Sequence, residues 1–308
     1  MTKIEAVFLG TTASIPTPDR NHPAIYVSYV GKEEQVLLMD CGEATQRQIF
    51  KAGLNFMKID HIFITHWHAD HFAGLFGILE TMSLEKRKNP LYVYGPEASK
   101  FVNILANLGY AAKGFVVIPK NVDYMGHGME KLLEEKEFSV IASPVKHGVP
   151  AVAYCIKEKD RIKIDPKKAN NLGLPEKGLI FKKLKEHGET DFKGRKIRIE
   201  DVSDIQPGKK LVYSGDTQPC KSLIELAEKA DVLIMDCTYF EEMEERHHTN
   251  LRQAIEIAEQ ADVKKMILTH ISRRYQNQHE LEKLAKEAAG KSGIEVLVAR
   301  DFMKVTVE

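Results

Sequence analysis

Only four cysteines occur among the 308 residues, and no two of them form a Cys-x-x-Cys pair. This scarcity argues against a disulfide framework, and we interpret the four as the reduced thiols of a cytoplasmic protein: Cys41, Cys155, Cys220 and Cys237. The chain also has no basic, apolar leader of the secretory type and no apolar run long enough to span a bilayer. We therefore expect a cytoplasmic location and no membrane partner.

Net charge is absent as well, because 44 Lys and Arg side chains balance 44 Asp and Glu. Overall charge thus neither favours nor excludes nucleic acid, and only its distribution is informative. Residues 157–198 carry 14 basic and 7 acidic side chains, a net of +7, and are interrupted by Pro and Gly. This window predicts an inserted arm that contacts an anionic partner, although a solvated surface lobe would have the same composition.

The apolar runs are short, rich in β-branched residues and separated by helical patterns, which predicts layered α and β structure. The runs of strand length are 6–9, 36–39, 62–64, 91–94, 139–142, 211–213, 232–235 and 266–268. The helical windows are 43–51, 71–85, 98–108, 221–229, 250–259 and 280–289. No internal repeat is found, and 308 residues with 43% apolar content suffice for a sizeable core.

The most informative segment is His66-Trp67-His68-Ala69-Asp70-His71, which follows an apolar run. Imidazole and carboxylate groups together suit zinc and similar divalent ions. Alternate residues of an extended turn face the same way, so His66 and His68 can hold one ion, while Asp70 and His71 can face a second. Solvated loop histidines are the alternative, but four such groups in six residues favour a metal site.

Two adjacent ions need further ligands, and three later residues have a matching context. His147, Asp216 and His270 each come directly after an apolar run. A carboxylate such as Asp216 can bridge two cations, because its two oxygens are separate donors. Taken singly, each of these residues is more typical of a hydrogen-bonded turn.

With these residues in place, the chain resembles the metallo-β-lactamase superfamily and, within it, the tRNase Z family. The resemblance rests on the His cluster and its downstream partners, together with Phe8-Leu9-Gly10-Thr11, Asp40-Cys41-Gly42-Glu43-Ala44-Thr45-Gln46, Ser214-Gly215-Asp216-Thr217 and Leu268-Thr269-His270-Ile271-Ser272. It implies an α/β fold over 1–308, a single four-layer αββα sandwich. It also implies that the 157–198 arm is an exosite for tRNA and that the protein is a homodimer.

The resemblance also implies the ligand set. One zinc ion would be held by His66, His68 and His147 and a second by Asp70, His71 and His270, giving two per subunit. Asp216 would bridge them, and Asp40 would orient a ligand imidazole by accepting its N–H.

The segments that contain Asp236, His247 and Arg274 resemble catalytic segments of the family. His247 would be the general acid, oriented by Asp236, where the family usually has Glu. His248, its neighbour, is the second candidate. Asp70 would accept a proton from water as well as ligate, and Arg274 would clamp a phosphate. A family loop of the form Pro-x-Lys-x-Arg-Asn has Pro18 in place of its Lys here.

The implied function is a zinc-dependent endoribonuclease that removes the 3′ trailer of precursor tRNA by phosphodiester hydrolysis and leaves a 3′-hydroxyl on the tRNA. One alternative is another hydrolase of the superfamily, such as a small-molecule phosphodiesterase. A second is an RNA-binding module without turnover. The basic arm and the Arg274 segment favour the ribonuclease over the first alternative, and the full ligand set favours it over the second.

Overall fold

The computed structural model describes residues 2–108, 114–126, 128–243, 247–290 and 292–307. Strands in the described residues are β1 (Lys3–Gly10), β2 (Ala24–Val30), β3 (Glu34–Met39), β4 (Ile59–Phe63), β5 (Leu91–Gly95), β6 (Val117–Asn121), β7 (Glu130–Glu134), β8 (Phe138–Pro144), β9 (Val152–Glu158), β10 (Arg161–Ile164), β11 (Glu189–Phe192), β12 (Arg195–Arg198), β13 (Ser203–Gln206), β14 (Lys210–Tyr213), β15 (Val232–Asp236), β16 (Lys265–Thr269), β17 (Glu295–Val298) and β18 (Lys304–Val307). Helices there are α1 (Thr45–Lys51), α2 (Ala69–Phe72), α3 (Gly74–Leu84), α4 (Ala98–Ala106), α5 (Pro166–Asn171), α6 (Leu179–His187), α7 (Lys221–Ala227), α8 (Leu251–Gln260) and α9 (Gln278–Ala289).

Two seven-stranded sheets face each other in the unit formed by Met1–Lys157 and Lys209–Glu308. The strand order is β18-β1-β2-β3-β4-β5-β6 in one sheet and β17-β16-β15-β14-β9-β8-β7 in the other. Side chains alternate between the two faces of a strand. Both faces of each sheet are covered by another layer, so the side chains on both faces are apolar. In β15, for example, Val232 and Ile234 enter the core between the sheets, while Leu233 and Met235 enter the core under the helices.

Helices cover the outer face of each sheet. The first sheet packs its outer side chains against α1, α3 and α4, and the second packs against α7, α8 and α9. The result is the four-layer αββα sandwich that the resemblance implied, so this prediction is confirmed. In the described part of the chain, no helix has the length and apolarity to cross a membrane.

The sequence windows located most central elements but not their details. The single helical window 71–85 is divided into α2 and α3, which are interrupted at Ala73 alone, although Ala73 keeps right-handed helical angles (φ −60°, ψ −23°). Strands β2 and β9 were missed, although both lie in the middle of a sheet. Their alternation is weak because Tyr, Ser and Cys fill positions that are buried on both faces.

Strand direction brings several chain segments to one edge. In the first sheet β3, β4 and β5 are parallel, and in the second β14, β15 and β16 are parallel. Strand β8 also runs in the direction of β14. Strand β14 is antiparallel to β9, and β8 turns back into its neighbour β9 through a short connection in which Val145 N donates to Ala151 O. The loops after these strands therefore start at the carboxyl edge of each sheet.

Residues Glu158–Gly208 form a second compact unit. It contains α5, α6, the β10–β13 pair and the β11–β12 hairpin, around a small core of Ala169, Leu174, Leu184, Ile197 and Val202. The sequence window 157–198 thus differs from the structural unit mainly at its end, which extends to 208. Residues 158–208 carry 13 basic and 10 acidic side chains, a net of +3, so the unit is less basic than the window suggested.

Candidate metal centre

Every predicted ligand lies just beyond the carboxyl end of a strand. The positions are His66 and His68 after β4, Asp70 and His71 in α2, His147 after β8, Asp216 after β14, and His270 after β16. Strand ends fix the backbone, while the loops that follow leave the side chains free to converge. The structure brings all seven side chains together in overlapping groups whose donor atoms lie within 4.8 Å of one another.

Three imidazoles form the first group. His68 Nδ1 is 2.9 Å from His66 Nε2 and 3.2 Å from His147 Nε2. Asp216 joins them, with its Oδ2 3.6 Å from His66 Nε2. Ligands bonded at about 2.0–2.1 Å to one zinc ion would lie about 3.3 Å apart in a tetrahedron, so these separations suit a single ion.

Asp70, His71 and His270 form the second group. Asp70 Oδ2 is 3.5 Å from His270 Nε2 and 3.7 Å from His71 Nε2, and the two imidazole nitrogens are 3.4 Å apart. Asp216 belongs here too, because its Oδ1 is 3.3 Å from His71 Nε2 and its Oδ2 is 3.3 Å from His270 Nε2. Its carboxylate therefore lies between the groups, as a bridging ligand would.

Asp40 sets the tautomer of His71. The Asp40 Oδ2 lies 2.8 Å from His71 Nδ1 and accepts a hydrogen bond from the Tyr213 hydroxyl at 2.7 Å. Its other oxygen accepts from Thr65 N at 2.7 Å. A carboxylate only accepts, so His71 Nδ1 carries the proton and Nε2 keeps its lone pair towards the group. Asp40 is fully buried and adopts a left-handed φ of 56°, a conformation that costs about 1–3 kcal/mol.

Two threonines act in the same way on other imidazoles. The Thr65 hydroxyl donates to Asp40 and so presents a lone pair to His66 Nδ1, 3.1 Å away. The Thr238 hydroxyl donates to Asp236 and lies 2.8 Å from His270 Nδ1. In both cases the imidazole Nδ1 is the donor, and Nε2 is left as a ligand atom. A main-chain carbonyl at residue 247 does the same for His147, at 2.9 Å from its Nδ1.

The electrostatics fit a cation. Asp216 Oδ1 is buried and has no hydrogen-bond partner among the described residues. Burial alone would raise the pKa of the Asp216 carboxyl, but His270, His71 and His66 outweigh it and hold this pKa well below its usual range. Burial in turn lowers the pKa of His66, which favours the neutral imidazole that a metal requires. Burial also disfavours the charged forms of His71 and His270, but Asp216 and the neighbouring carboxylates outweigh it and raise the pKa of both imidazoles. A cation bound here would displace these protons and would pair the buried Asp216 oxygen that has no hydrogen-bond partner among the described residues.

One pairing differs from the prediction. The sequence paired Asp236 with His247, whereas in the structure Asp236 Oδ2 lies 3.2 Å from His248 Nδ1. The residue after His248 is tied to the same place, because Thr249 N donates to Asp236 Oδ2 at 3.4 Å and the Thr249 hydroxyl donates to Thr217 O. His247 instead presents its carbonyl to His147, and its ring lies beside Gly148.

Asp236 acts as an orienting group for His248 more readily than as a metal ligand. Its carboxylate already accepts from Thr217 N at 3.1 Å, Thr238 N at 3.0 Å and the Thr238 hydroxyl at 2.8 Å. With these lone pairs occupied, it can fix His248 Nδ1 as a donor. Donor atoms of Asp216, Asp236, His248 and His270 also lie within 4.8 Å of one another. His248 stacks on His270 with ring centroids 5.2 Å apart, which places it against the second group.

Arg274 lies beside this region on the surface. Its guanidinium stacks over the Tyr239 ring at 5.2 Å and is 3.7 Å from Glu241 Oε1. The Tyr239 ring is in turn 6.5 Å from that of His248. Arg274 is thus exposed beside Tyr239, whose ring adjoins that of His248.

The sequence did not identify Thr65, Tyr213, Thr238 or the backbone of Ser14 as members of the site. Thr65 and Thr238 are each two residues or fewer from an identified residue, which is a weak signal. Tyr213 is the last residue of β14, and Asp216 follows three residues later. Nothing in the sequence, however, shows that the Tyr213 hydroxyl reaches Asp40. Such contacts depend on the packing of one sheet against the other.

The four layers and the His/Asp donor set define the chain as a metallo-β-lactamase-fold hydrolase. The family model described as a beta-lactamase superfamily domain matches residues 191–271, and one described as anti-Pycsar protein Apyc1 matches residues 4–103. Two solved structures are similar over nearly all of both chains: human tRNase Z, short form (TM-score 0.69, 24% identity, 99% of each chain) and the metallo-beta-lactamase fold protein YhfI from Bacillus subtilis (TM-score 0.68, 18% identity, 99% of this chain and 100% of the other). At these identities they support the fold alone.

Relatives found by sequence are more similar than these two structures and therefore identify the family. Ribonuclease Z of Pyrococcus abyssi is 44% identical over 256 residues, which cover 82% of this chain and 80% of the relative. Ribonuclease Z of Thermoplasma volcanium is 39% identical over 237 residues, covering 76% and 75%. The chain therefore belongs to the ribonuclease Z family, a family of metal-dependent endoribonucleases.

Proposed function

We propose that this protein cleaves precursor tRNA at its 3′ side by hydrolysing one phosphodiester bond, which removes the trailer and leaves a 3′-hydroxyl on the tRNA. The observation that carries this proposal is the convergence of all seven donors around Asp216 in a chain whose relatives are named Ribonuclease Z. We further propose that the bound metal is zinc, two ions per subunit, since imidazole and carboxylate donors suit it.

The residues fit two metal positions. His66, His68 and His147 would hold one ion, and the second group would hold the other, with Asp216 shared. Two divalent ions in such a site supply charge neutralisation for a phosphate and a lowered pKa for water. Asp70 Oδ2, at the rim of the second group, can also accept a proton from water.

We assign the role of general acid to His248. The leaving ribose 3′ oxygen is a poor leaving group until it is protonated, so a positioned N–H accelerates the reaction. Because Asp236 binds Nδ1 of His248, the opposite nitrogen, Nε2, is the one that can face the substrate. The side chain is 16% exposed, so it remains reachable from solvent beside the second group.

A pair of variants separates this assignment from the earlier one. His248→Ala should slow cleavage by about 10²–10⁴-fold with metal content unchanged. His247→Ala is the matched control, since it removes the adjacent imidazole and keeps the carbonyl that orients His147. A large loss in His247→Ala and a small one in His248→Ala would return the role to His247.

We propose that Arg274 binds a substrate phosphate. A planar guanidinium suits a phosphate, and its partner Glu241 is 61% exposed, so the ion pair is screened and easily exchanged. Arg274→Lys should raise KM more than it lowers kcat, because the point charge remains but the two-point contact is lost.

The Glu158–Gly208 unit is our proposed contact for the body of the tRNA. Exposed cations lie on α6 and on the β11–β12 hairpin: Lys182, Lys183, Lys185, Lys193, Arg195 and Lys196. Each phosphate contact releases counterions, so binding should weaken steeply with salt. Lys157 pairs with Lys210 across β9 and β14, so a short turn can replace the unit. That variant should lose cleavage of precursor tRNA but retain hydrolysis of a small chromogenic phosphodiester. If the variant kept both activities, the Glu158–Gly208 unit would not be a contact for the tRNA.

The direct test is to incubate purified protein with a 5′-labelled precursor tRNA, with and without chelator, and to map the cut. We expect one cut at the 3′ end of the tRNA that chelator abolishes and zinc restores. Tight binding with no cleavage in added zinc would instead favour a binding module.

We also propose a homodimer in the cytoplasm. The dimer rests on the resemblance to the tRNase Z family, and light scattering of the purified protein would test it. The cytoplasmic location is supported by four free cysteines, which are typical of a reducing compartment.

A further inference from the structure

The loop of residues 11–21 reaches the candidate centre through one backbone group. Ser14 N donates to Asp70 Oδ2 at 2.9 Å, the same oxygen that lies 3.5 Å from His270 Nε2. Because Asp70 accepts this hydrogen bond, its side chain is held with Oδ2 next to His270 Nε2, where the two could share a metal ion. Ser14 adopts a left-handed φ of 53°, which a serine rarely does without constraint from its surroundings.

The constraint begins beside His270. Ala13 N donates to Ile271 O at 3.0 Å, and Ile271 N donates to Thr11 O at 2.9 Å. The start of the loop is therefore tied to the residue after a predicted ligand. This pairing positions residues 11–13 but does not hold the other end of the loop.

A buried polar network holds that other end. Arg20, 9% exposed, donates through Nη1 to the Thr11 hydroxyl and to Ala299 O, both at 2.7 Å. The Thr11 hydroxyl donates to Asp301 Oδ1 at 2.8 Å, and Asp301 Oδ2 accepts from Asn21 N at 2.8 Å. Arg20 and Asp301 thus both bind Thr11, at the start of the loop, and Asp301 also binds Asn21, at its end.

The network is costly enough to require a reason. Arg20 and Asp301 are joined through the Thr11 hydroxyl, and charged groups held in such a largely buried network seldom stabilise a fold more than apolar side chains of the same volume would. Gln48 Nε2 and Gln278 Oε1 complete it, at 2.9 Å from Asp301 Oδ2 and 2.5 Å from Arg20 Nη2. None of these groups touches a donor of the candidate centre, so any effect on it must pass through the loop.

We propose that Arg20 and Asp301 are positioning residues for the metal centre, which act through the 11–21 loop to keep the Ser14 N–H on Asp70. The inference rests on the proposed ligand role of Asp70. It predicts a selective effect: the position formed by Asp70, His71 and His270 weakens when the network is disturbed, and the position formed by His66, His68 and His147 does not.

The test measures zinc affinity rather than catalysis. Zinc is titrated into the full-length protein against a chromophoric chelator, and two dissociation constants are obtained. Asp70→Asn identifies the constant that belongs to the second position. The test variants are Arg20→Lys and Thr11→Val. The first keeps the positive charge but loses the planar guanidinium with its several donors, and the second removes the shared hydroxyl.

Arg87→Lys is the matched control. Arg87 is 3% exposed and donates to three backbone carbonyls, those of Asn89, Met57 and Pro90, at 2.8–3.1 Å. It is as deeply embedded as Arg20, and among the described residues its hydrogen bonds go to Met57, Asp60, Asn89 and Pro90, which lie outside the loop and the centre. The Arg87→Lys variant therefore measures how much stability the fold loses when a buried guanidinium away from the metal centre is replaced by an ammonium group.

We expect Arg20→Lys and Thr11→Val to raise the Asp70-dependent constant roughly 10–100-fold, the range for a lost partner of a metal ligand, and to leave the other constant unchanged. Arg87→Lys should change neither. If the test variants melt at lower temperature, as the control does, but bind both ions as the wild type does, the network only stabilises the fold and the proposal is wrong. Wild-type protein that binds two ions but does not cut precursor tRNA would refute the proposed function and leave this inference intact.

Discussion

Asp40→Asn is the substitution whose effect the geometry defines most sharply. The carboxylate accepts from His71 Nδ1, from the Tyr213 hydroxyl and from Thr65 N. In the asparagine variant one oxygen becomes an amide nitrogen that can only donate. If that nitrogen faces His71, the imidazole must accept at Nδ1 and carry its proton on Nε2, the nitrogen that faces Asp216.

The expected magnitude follows from this change of tautomer. A protonated Nε2 is not a ligand, so we expect the affinity for one zinc ion to fall about 10–100-fold, or about 1.4–2.7 kcal/mol. The opposite orientation of the amide would leave Thr65 N without an acceptor, at a cost of about 1–3 kcal/mol. Either way the variant folds with a weakened centre. Asp40→Ala, in contrast, would leave four buried donors without this acceptor, the three above and the Thr65 hydroxyl. It should not fold, because their combined cost of about 4–12 kcal/mol approaches the whole stability of a domain.

The assay is zinc titration of Asp40→Asn, with Tyr213→Phe as its control. The phenylalanine variant removes one donor to the same oxygen but leaves the acceptor for His71, so its zinc affinity should match that of the wild type. Equal affinities in wild type and Asp40→Asn would show that Asp40 does not set the tautomer of His71. An equal loss in both variants would show that the effect comes from packing between the sheets.

Three further outcomes follow from the structure. Asp216→Ala should lower zinc content from two ions per subunit to one or none, measured by elemental analysis, whereas retention of two would exclude its bridging position. Gly215→Ala should destabilise the fold by about 1–3 kcal/mol in urea unfolding, since φ is 57° and a Cβ would lie 2.6 Å from that of Thr65. Burial raises the pKa of Asp301 from 3.8 to about 6, so between these values the folded state holds a proton that the unfolded chain has released. Stability should therefore fall as pH rises through this window, by about 3 kcal/mol, and Asp301→Asn, compared with wild type in urea with chelator present, should lack this decrease.

Much of the site could be predicted because its donors follow apolar runs. The His66–His71 cluster is local in sequence, and His147, Asp216 and His270 each end a segment that strand patterning identifies. The resemblance supplied the division into two metal positions, which stays a prediction, and in the structure the donor atoms of these residues lie in overlapping groups, each within 4.8 Å.

What the sequence could not provide was the direction of neighbouring side chains. His247 and His248 are adjacent, and it is His248 that meets Asp236, next to Thr249, whose hydroxyl contacts a carbonyl 32 residues away. Likewise, Tyr213 reaches Asp40 only because the two sheets pack face to face. Contacts that join distant segments carry no signature in a single local pattern.

The order of the donors along the chain has a consequence for biosynthesis. His66 and His270 are separated by 204 positions, and at about 5–20 residues per second the ribosome delivers the last donor roughly 10–40 s after the first. A nascent chain that has released only His66, His68, Asp70 and His71 offers an incomplete chelate. In the proposed two-ion centre, capture of both ions can therefore be completed only after His270 has been synthesised, and cells that starve of metal during synthesis should accumulate apoprotein that matures when the supply returns.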